Sequence, residues 1–311
     1  MARMLAPAAA RQTLRERLAA EMVLAPGCYD ALGARLIEDA GFPAVYMTGF
    51  GSAASRLGRP DIGLLALPEM VDNARRIAQA VEIPVIADAD TGYGNPINVI
   101  RTVREYEAAG VAAIHLEDQV MPKKCGHMEG KQVVPAAEMA AKVQAAVAAR
   151  RSDDFLIIAR TDARAVEGLD GALERARRYR EAGADALFVE APQSKDEIRT
   201  IARAFADVPL LFNYAEGGKT PAVTHEFLAD LGFAVVIFPL SVMLAATAAI
   251  RSVLAQIKAD GTPIHALGSL PPFHDFLDFI GMPEIRELEQ RFATTGSQPA
   301  ATEIISDRAQ A

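Results

Sequence analysis

The chain has 311 residues, of which 51% are hydrophobic and 23% are charged, and its formal net charge is −8 at pH 7. A chain of this length and composition can bury a large core, and α/β barrels of one domain reach this size. The negative charge argues against a nucleic-acid partner, although a local cation can still attract an anionic substrate. The two cysteines, Cys28 and Cys125, exclude a disulfide framework and favour a reducing compartment.

Neither apolar stretch of the chain has the pattern of a targeting or membrane segment. Residues 1–10 are rich in alanine but include Arg3 and lack a continuous apolar region, so we expect no signal peptide. Residues 234–250 are at the short limit for a membrane span and contain Pro239. A buried strand followed by a buried helix explains them better, and we therefore expect a cytoplasmic protein with no membrane partner.

A strand–helix unit recurs along the chain. In "EDAGFPAVYMTG", "EAAGVAAIHLED", "EAGADALFVEAP" and "ADLGFAVVIFPL", a helix ends near a glycine and a short apolar run follows. Glycine suits a left-handed helix C-cap, and such apolar runs are typical of parallel strands buried on both faces. Eight strands are predicted, beginning near Met22, Ala44, Pro84, Ala112, Phe155, Ala186, Pro209 and Ala234.

Helical patterns separate the strands, for example at Pro68–Ala80, Ala137–Arg150 and Gly171–Ala182. Eight such units without a long break predict a single-domain (β/α)8 TIM-type barrel over residues 1–311. An open doubly wound sheet would need GxGxxG after the first strand, and "APGCYDALGA" does not supply it. We expect one or two short helices over Pro271–Phe292 and a loose tail over 293–311.

Polar residues follow the predicted strands at the edge where barrels of this kind carry their active sites. Strand three ends with Asp88 and Asp90, and strand four ends with His115 and Glu117. Because side chains alternate along a strand, Asp88 and Asp90 should share a face, as should His115 and Glu117. Three neighbouring carboxylates need a cation, and oxygen ligands favour Mg²⁺ or Mn²⁺ over Zn²⁺. A helix cap or a surface ion pair would explain one such acid but not all three, and His115 could equally be a core histidine beneath the site.

A long polar segment follows strand four. It has 17 residues, "QVMPKKCGHMEGKQVVP" (Gln119–Pro135), whereas a βα loop ordinarily has about two to six. Its charge, with Gly126 and Gly130 as hinges, is typical of a lid over a barrel mouth. Two lysines and a histidine beside Cys125 should favour the thiolate, so we predict that Cys125 exchanges a proton near neutral pH. Cys28 is expected to be a small buried hydrophobe.

Several segments carry a family resemblance. "IADADTGYGN" starts at Ile86, "IHLEDQ" at Ile114, "KKCGHMEGK" at Lys123 and "IARTDA" at Ile158, and "APGCYDALGARL" and "FVEAP" agree with them. Over about residues 25–239 the chain resembles the isocitrate lyase/phosphoenolpyruvate mutase superfamily, and the Lys-Lys-Cys-Gly-His run is typical of its lyase branch. The resemblance implies a (β/α)8 barrel with a swapped C-terminal helix, in dimers that pair into homotetramers.

The resemblance also implies which residues form the site. Mg²⁺ would lie near Asp88 and Asp90, with Asp61 and Glu117 reaching it through water. A catalytic set is implied, consisting of Cys125, Lys123, His127, Arg160 and Glu190. A small carboxylate substrate would be bound by a second set, consisting of Tyr46, Thr48, Gly49, Phe50, Asp88, Gly126, His127, Arg160, Glu190 and Asn213. Methylisocitrate lyases usually have glycine at the position of Phe50, so its ring should narrow the pocket.

The implied reaction is a Mg²⁺-dependent retro-Claisen cleavage. A 2-hydroxy di- or tricarboxylate, similar to 2,3-dimethylmalate or 2-methylisocitrate, would give a 2-oxo acid such as pyruvate and a carboxylate. Arg160 would offset the developing negative charge, and Cys125 would protonate the carbanion. The general base stays unidentified.

Other functions on the same scaffold stay open. An oxaloacetate decarboxylase or hydrolase would use the same cation and a 2-oxo acid. A phosphonopyruvate-type P–C mutase is disfavoured by the Cys-Gly-His run, and a Schiff-base aldolase because no predicted strand ends in lysine. A non-catalytic ligand-binding barrel would not need both the acids and the thiol.

The helix predicted at Ser241–Ile257 has small apolar residues on most faces. A helix that is apolar all round should be buried, and one barrel face does not need so many apolar residues. We therefore expect a partner subunit to cover it.

Overall fold

The computed structural model describes residues 10–293, with side chains from Leu14 onward. These residues fall into two compact units, one ending at Ala249 and the other starting at Ile250. That the whole chain forms a single domain stays a prediction.

Eight parallel strands form a closed barrel in the first unit, in the order of the sequence, and the last strand pairs with the first. They are β1 (Val23–Cys28), β2 (Val45–Met47), β3 (Val85–Asp88), β4 (Ala113–Glu117), β5 (Leu156–Thr161), β6 (Ala186–Val189), β7 (Leu210–Asn213) and β8 (Val235–Phe238). Each strand begins within one residue of the predicted position. The predicted barrel is therefore confirmed.

Helices alternate with these strands. They are α1 (Ala10–Ala20), α2 (Ala31–Asp39), α3 (Gly49–Leu57), α4 (Leu67–Ala80), α5 (Pro96–Ala109), α6 (Ala136–Ala149), α7 (Arg164–Glu181), α8 (Lys195–Ala204), α9 (His225–Asp230) and α10 (Ser241–Asp260). Local capping sets their starts; for example, the Asn95 side chain accepts hydrogen bonds from two amides of α5. The helix predicted from Gly171 begins earlier, at Arg164, because the chain makes an additional turn before a break at Gly168, where φ is 80°.

The second unit contains short helices. After the end of α10 come a 3₁₀-helix (Ile264–Ser269), α11 (Phe273–Phe279) and α12 (Met282–Arg291), which confirms the short helices predicted over Pro271–Phe292. Ala293 is the last described residue, so the rest of the predicted tail lies outside the described residues.

The helix α10 has no buried residue. Among the described helices, it is the one long and apolar enough to cross a membrane by length and composition. Burial against a partner subunit would also remove the apolar side chains of α10 from water.

The interior of the barrel is layered. On β5, Leu156 and Ile158 lie in the apolar cluster inside the barrel, whereas Ile157 and Ala159 belong to the cluster between strands and helices. Leu14 of α1 joins the inner cluster. The N-terminal helix was not predicted. The inward-facing rows continue toward the C-terminal ends of the strands, where charged residues replace the apolar ones.

Candidate active site

A cavity of about 140 Å³ lies at the C-terminal ends of the strands. It brings together most of the predicted site residues, namely Tyr46, Thr48, Phe50, Asp61, Asp88, Cys125, Gly126, His127, Arg160, Glu190 and Asn213. Four other predicted residues do not line the cavity but lie beside it: Gly49, Asp90, Glu117 and Lys123.

The acidic residues form the floor of the site. Asp88 ends β3, and its carboxylate accepts hydrogen bonds from the amides of Gly49 and Asp90, at 3.2 and 2.9 Å. Asp90 follows the strand with a φ of 48°, in the left-handed region. Because β3 ends at Asp88, this turn, and not strand alternation as predicted, sets the direction of the Asp90 side chain.

A lysine of the lid lies among these acids. The Nζ atom of Lys123 is 2.5 Å from Asp61 Oδ1 and 2.8 Å from Asp90 Oδ1, and the Lys123 side chain is only 2% exposed. Burial raises the pKa of Asp90 to about 6, despite the ammonium, with Asp88 and Asp61 adding to the effect. The sequence predicted a cation between the carboxylates, and in the structure the chain itself contributes one.

The donor atoms are suited to a hard divalent cation. Asp90 Oδ1 and both carboxylate oxygens of Glu117 are buried without a hydrogen-bond partner. Lys123 and Arg160 approach them at ion-pair distances of 2.8 and 3.2 Å, but outside hydrogen-bond geometry. Buried carboxylate oxygens in this condition are typical ligands of Mg²⁺. Within residues 10–293, however, no three His, Cys, Asp or Glu side chains are already arranged around a single point as metal ligands.

Arg160 ends the inward-facing row of β5. Its Nη1 atom is 3.2 Å from Glu117 Oε2, and its guanidinium group lies 5.0 Å from the centre of the Phe188 ring. Burial raises the pKa of Glu117 well above its usual range, and the positive charge of Arg160 opposes this rise. The site therefore holds a charged guanidinium group against a carboxyl group that has lost its hydration.

Cys125 lies on the lid, with its amide donating to the carbonyl of Asp61 at 3.1 Å. Burial raises the pKa of its thiol to about 11, and the negative charges of Asp61 and Glu190 add to this. The prediction of a thiolate-favouring setting was wrong. Lys123 is occupied by Asp61 and Asp90, and Lys124 donates to carbonyl groups within the lid, so neither stabilises the thiolate.

His127 joins the lid to the opposite wall. Its Nδ1 atom accepts a hydrogen bond of 3.1 Å from the amide of Lys219, and its Nε2 atom is 3.3 Å from Glu190 Oε1. Burial lowers the pKa of His127, and the accepting Nδ1 assigns the ring proton to Nε2. The imidazole is thus neutral, and its buried Nε2–H lies near Glu190 without a hydrogen-bond partner. The carboxylate of Glu190 accepts from Asn213 at 3.2 Å.

A second histidine lies beneath the floor. His115 is fully buried, with Nε2 at 2.8 Å from the hydroxyl of Tyr46 and 3.6 Å from Asp88 Oδ1. Burial lowers its pKa to about 4, so the ring is neutral at physiological pH. His115 is therefore a hydrogen-bonded core histidine, and it also contacts the acid cluster through Asp88.

One wall of the cavity was missed by the sequence analysis. It comprises Ala215, Glu216, Gly217, Gly218, Ile237, Pro239 and Leu240, from the segments that follow β7 and end β8. The glycine pair in "NYAEGGKTP" was the available signal for the first segment. Apolar residues at a strand end carry no such signal, because the sequence pattern is the same whether the side chains pack in the core or line a ligand cavity.

The family model described as phosphoenolpyruvate phosphomutase matches residues 14–258. The chain is 49% identical over 282 residues to 2,3-dimethylmalate lyase of Eubacterium barkeri, covering 90% of this chain and 97% of that one. It is 48% identical over 261 residues to 2-methylisocitrate lyase of Aeropyrum pernix, covering 84% and 83%. It is 45% identical over 298 residues to carboxyvinyl-carboxyphosphonate phosphorylmutase of Arabidopsis thaliana, covering 94% and 88%.

Solved structures agree with these relatives. A crystal structure of 2,3-dimethylmalate lyase has a TM-score of 0.88 at 38% identity, covering 93% of this chain and 98% of that one. Oxaloacetate acetylhydrolase with 3,3-difluorooxalacetate has a TM-score of 0.86 at 38% identity, covering 92% and 98%. Phosphonopyruvate hydrolase with oxalate and Mg²⁺ has a TM-score of 0.84 at 34% identity, covering 91% and 99%. This chain belongs to the phosphoenolpyruvate mutase/isocitrate lyase superfamily, and it is an enzyme of the lyase branch.

Proposed function

We propose that this enzyme is a Mg²⁺-dependent carbon–carbon lyase that cleaves an alkyl-substituted 2-hydroxydicarboxylate into a 2-oxo acid and a carboxylate. One observation carries the proposal: the protonated Cys125 thiol and the Arg160 guanidinium group line the same small cavity. Cleavage leaves a carbanion that needs a proton and a carboxylate group that gains negative charge. A thiol and a guanidinium group meet these two needs.

The acid cluster supports a metal site on the floor of the cavity. Asp61, Asp88, Asp90 and Glu117 would hold the ion, directly or through water, because the buried oxygens of Asp90 and Glu117 lack hydrogen-bond partners. When bound, Mg²⁺ supplies a Lewis acid that polarises the 2-oxygen and orients the C1 carboxylate. One solved relative, a phosphonopyruvate hydrolase, contains oxalate and Mg²⁺.

The chain's own groups would position the substrate. The segment Thr48–Phe50 begins α3, and a helix N-terminus above the acid floor suits the C1 carboxylate. Arg160 would contact the second carboxylate, and the neutral His127 would donate its Nε2 proton on the same side. The thiol of Cys125 keeps its proton at neutral pH, since its pKa is about 11, and it can transfer that proton to the carbanion.

The cavity favours a dicarboxylate over a tricarboxylate. Phe50, Ile237, Pro239 and Leu240 form an apolar surface, and Glu216 on the same wall would repel an additional carboxylate. Arg160 is the one arginine among the described residues that line the cavity, so the lining offers a guanidinium group to one carboxylate. Alkyl groups on the substrate would pack against this wall.

An assay of 2-oxo-acid release tests the proposal. The panel contains 2,3-dimethylmalate, 2-methylisocitrate and oxaloacetate, each with Mg²⁺, and phosphonopyruvate as the P–C substrate. We expect pyruvate to be released fastest from 2,3-dimethylmalate. Oxalate and acetate formed faster from oxaloacetate would favour the hydrolase, and turnover of phosphonopyruvate alone would favour the mutase.

An exposed apolar groove supports a swapped-helix assembly. It lies outside β1 and β8, has a volume of about 410 Å³, and is lined by Leu24, Pro26, Gly33, Leu36, Ile37, Ala40, Phe42, Phe238, Ser241 and Val242. The α10 helix has no buried residue in the single chain. A partner's α10 in this groove would bury both apolar surfaces, in a homotetramer built from two dimers in the cytoplasm.

Light scattering after size-exclusion chromatography tests this assembly. We expect a tetramer, and Leu36→Glu should shift it toward smaller species, because Leu36 lines the groove and is 50% exposed. Ile97→Glu is the matched control, since Ile97 is apolar and 72% exposed but lies away from the groove. A stable wild-type monomer at micromolar concentration would contradict the proposal.

A further inference from the structure

One lysine joins the lid to the barrel. The Nζ atom of Lys131 donates to Asp162 Oδ1 at 2.8 Å, and it also donates to the carbonyl oxygen of Gly126. Asp162 lies directly after β5, and Gly126 lies between Cys125 and His127 on the lid. The Lys131 side chain is buried. Through these two contacts it connects the barrel to the part of the lid that lines the cavity.

The same carboxylate holds the arginine of the site. Arg160 donates from Nε to Asp162 Oδ2 at 2.9 Å and from Nη2 to Oδ1 at 3.1 Å. This is a fork-like pairing, which fixes the plane of the guanidinium group. Asp162 therefore accepts from two cations, one that faces the substrate cavity and one that comes from the lid.

Asp162 is itself held in place from behind. Its amide donates to Asp118 Oδ1 at 2.8 Å, and Asp118 Oδ2 accepts from the hydroxyl groups of Thr161 and Tyr179, both at 2.7 Å. Asp118 and Asp162 are both fully buried. A buried network with this many partners has little freedom to move, so it forms a fixed anchor for whatever binds Asp162.

The lid fits closely at the point where Lys131 holds it. A Cβ atom added to Gly126 would lie 1.9 Å from Glu190 Oε1 and 2.5 Å from Arg160 Nη2. The lid backbone thus lies against the two charged groups at the ends of β5 and β6. The Lys131 contact is made to the carbonyl of this same residue.

We propose that Lys131 and Asp162 form a latch that keeps the lid closed and aligns Arg160 with the cavity. Both are positioning residues, since neither lines the cavity. Lys131 holds Cys125 and His127 over the substrate, and Asp162 holds Lys131 and Arg160 together. The catalytic consequence rests on the proposed lyase function, whereas the closure of the lid does not.

Alkylation of Cys125 by iodoacetamide measures lid closure directly, without substrate. Lys131→Met removes the latch and leaves Asp162 paired with Arg160. It should raise the alkylation rate about tenfold or more, because hydrogen bonds to charged groups contribute on the order of a tenfold factor each. Lys124→Met is the matched control, because Lys124 donates only within the lid, to the carbonyl groups of Glu129 and Gly130. It should change the rate less than twofold.

Kinetics separate the two halves of the latch. Lys131→Met should lower kcat about tenfold or more, and Lys131→Arg should restore part of it. Asp162→Asn should also raise KM, because Arg160 loses its fork-like partner.

Cys28, which is buried, reports any loss of folding through its own alkylation. Unchanged alkylation of Cys125 in a folded Lys131→Met or Asp162→Asn variant would overturn the latch. If the wild type lacks lyase activity, the alkylation rates still decide.

Discussion

The lower and upper layers of the barrel interior are built from the same strands but have opposite chemistry. On β5 the inward-facing row runs from Leu156 through Ile158 to Arg160, and on β6 it ends at Glu190. The lower layer is apolar and joined by Leu14 of α1. The upper layer holds buried carboxylates, an arginine and a lysine.

The difference separates stability from activity. Burial of apolar side chains in the lower layer stabilises the folded state, and these side chains need no hydrogen-bond partner. In the upper layer each charged group loses hydration, and Asp90 and Glu117 lack the hydrogen bonds that would compensate them fully. The lower layer thus stabilises the fold, whereas the upper layer destabilises it. Mutations in the upper layer should mainly change activity, and truncations in the lower layer should mainly reduce the free energy of unfolding.

Removal of the metal should have the largest effect. Because the upper layer is proposed to hold Mg²⁺, EDTA should abolish turnover, and added Mg²⁺ or Mn²⁺ should restore it. Asp90→Ala should lose most metal affinity by calorimetry, while Asp153→Ala, at a side chain 95% exposed, should keep it. Full activity of the metal-free protein would contradict the metal site.

Substitution of the proton donor should have the next largest effect. Cys125→Ser keeps the shape but presents a much weaker acid, so kcat should fall on the order of 10²–10⁴-fold with little change in substrate affinity. Cys28→Ser, which removes a buried thiol outside the cavity, should leave kcat nearly unchanged. Near-normal kcat in Cys125→Ser would refute the assigned role, whatever the outcome for the metal.

A side-chain truncation in the lower layer should have the opposite effect, reducing stability and not kcat. Leu156 is 2% exposed in the inner cluster, so Leu156→Ala should reduce the free energy of unfolding by about 2–5 kcal/mol. The kcat of the folded fraction should stay within a few-fold of the wild type. Denaturant unfolding and steady-state kinetics on one preparation check both. A large loss of kcat without loss of stability would break the separation of layers.

The pH dependence of alkylation sharpens the assignment of Cys125. Iodoacetamide reacts with the thiolate, and the pKa of the thiol is about 11. Below that pKa the thiolate fraction, and hence the rate, should rise about tenfold per pH unit. The rate should still be rising at pH 9.5. A plateau near pH 7 would show that the lid lysines do activate the thiol.

A neutral isostere in the upper layer should have the smallest effect, and it should stabilise the protein. Burial raises the pKa of Glu117, so its ionisation opposes folding above the pKa of the unfolded chain and costs nothing below it. In EDTA, Glu117→Gln should therefore gain about 1 kcal/mol at pH 7 and nothing near pH 4. Melting temperatures at the two pH values check this. A loss of stability at pH 7 would mean that the Arg160 pairing outweighs the desolvation cost.

Local chemistry made several site residues predictable. Asp88, Glu117 and Arg160 lie at strand ends, and their charge contrasts with the apolar runs that precede them. The lid was recognisable because its length and charge exceed those of an ordinary connection. By contrast, nothing near Leu240 or Ile237 in the chain shows that these residues face a cavity. Their neighbours there come from distant segments.

The sequence by itself determined the order of the strands, the closure of the barrel and the chemical types at its upper edge. Apolar periodicity and glycine caps act over a few residues, so they can be read along the chain. Tertiary structure decided which charges meet. Lys123 and Lys131 are both lid lysines, yet one lies between Asp61 and Asp90 and the other at Asp162. It also decided the state of Cys125, whose pKa rises because burial outweighs the influence of nearby lysines that point elsewhere. Desolvation and charge pairing depend on distances in space, which the spacing of residues in the chain does not record.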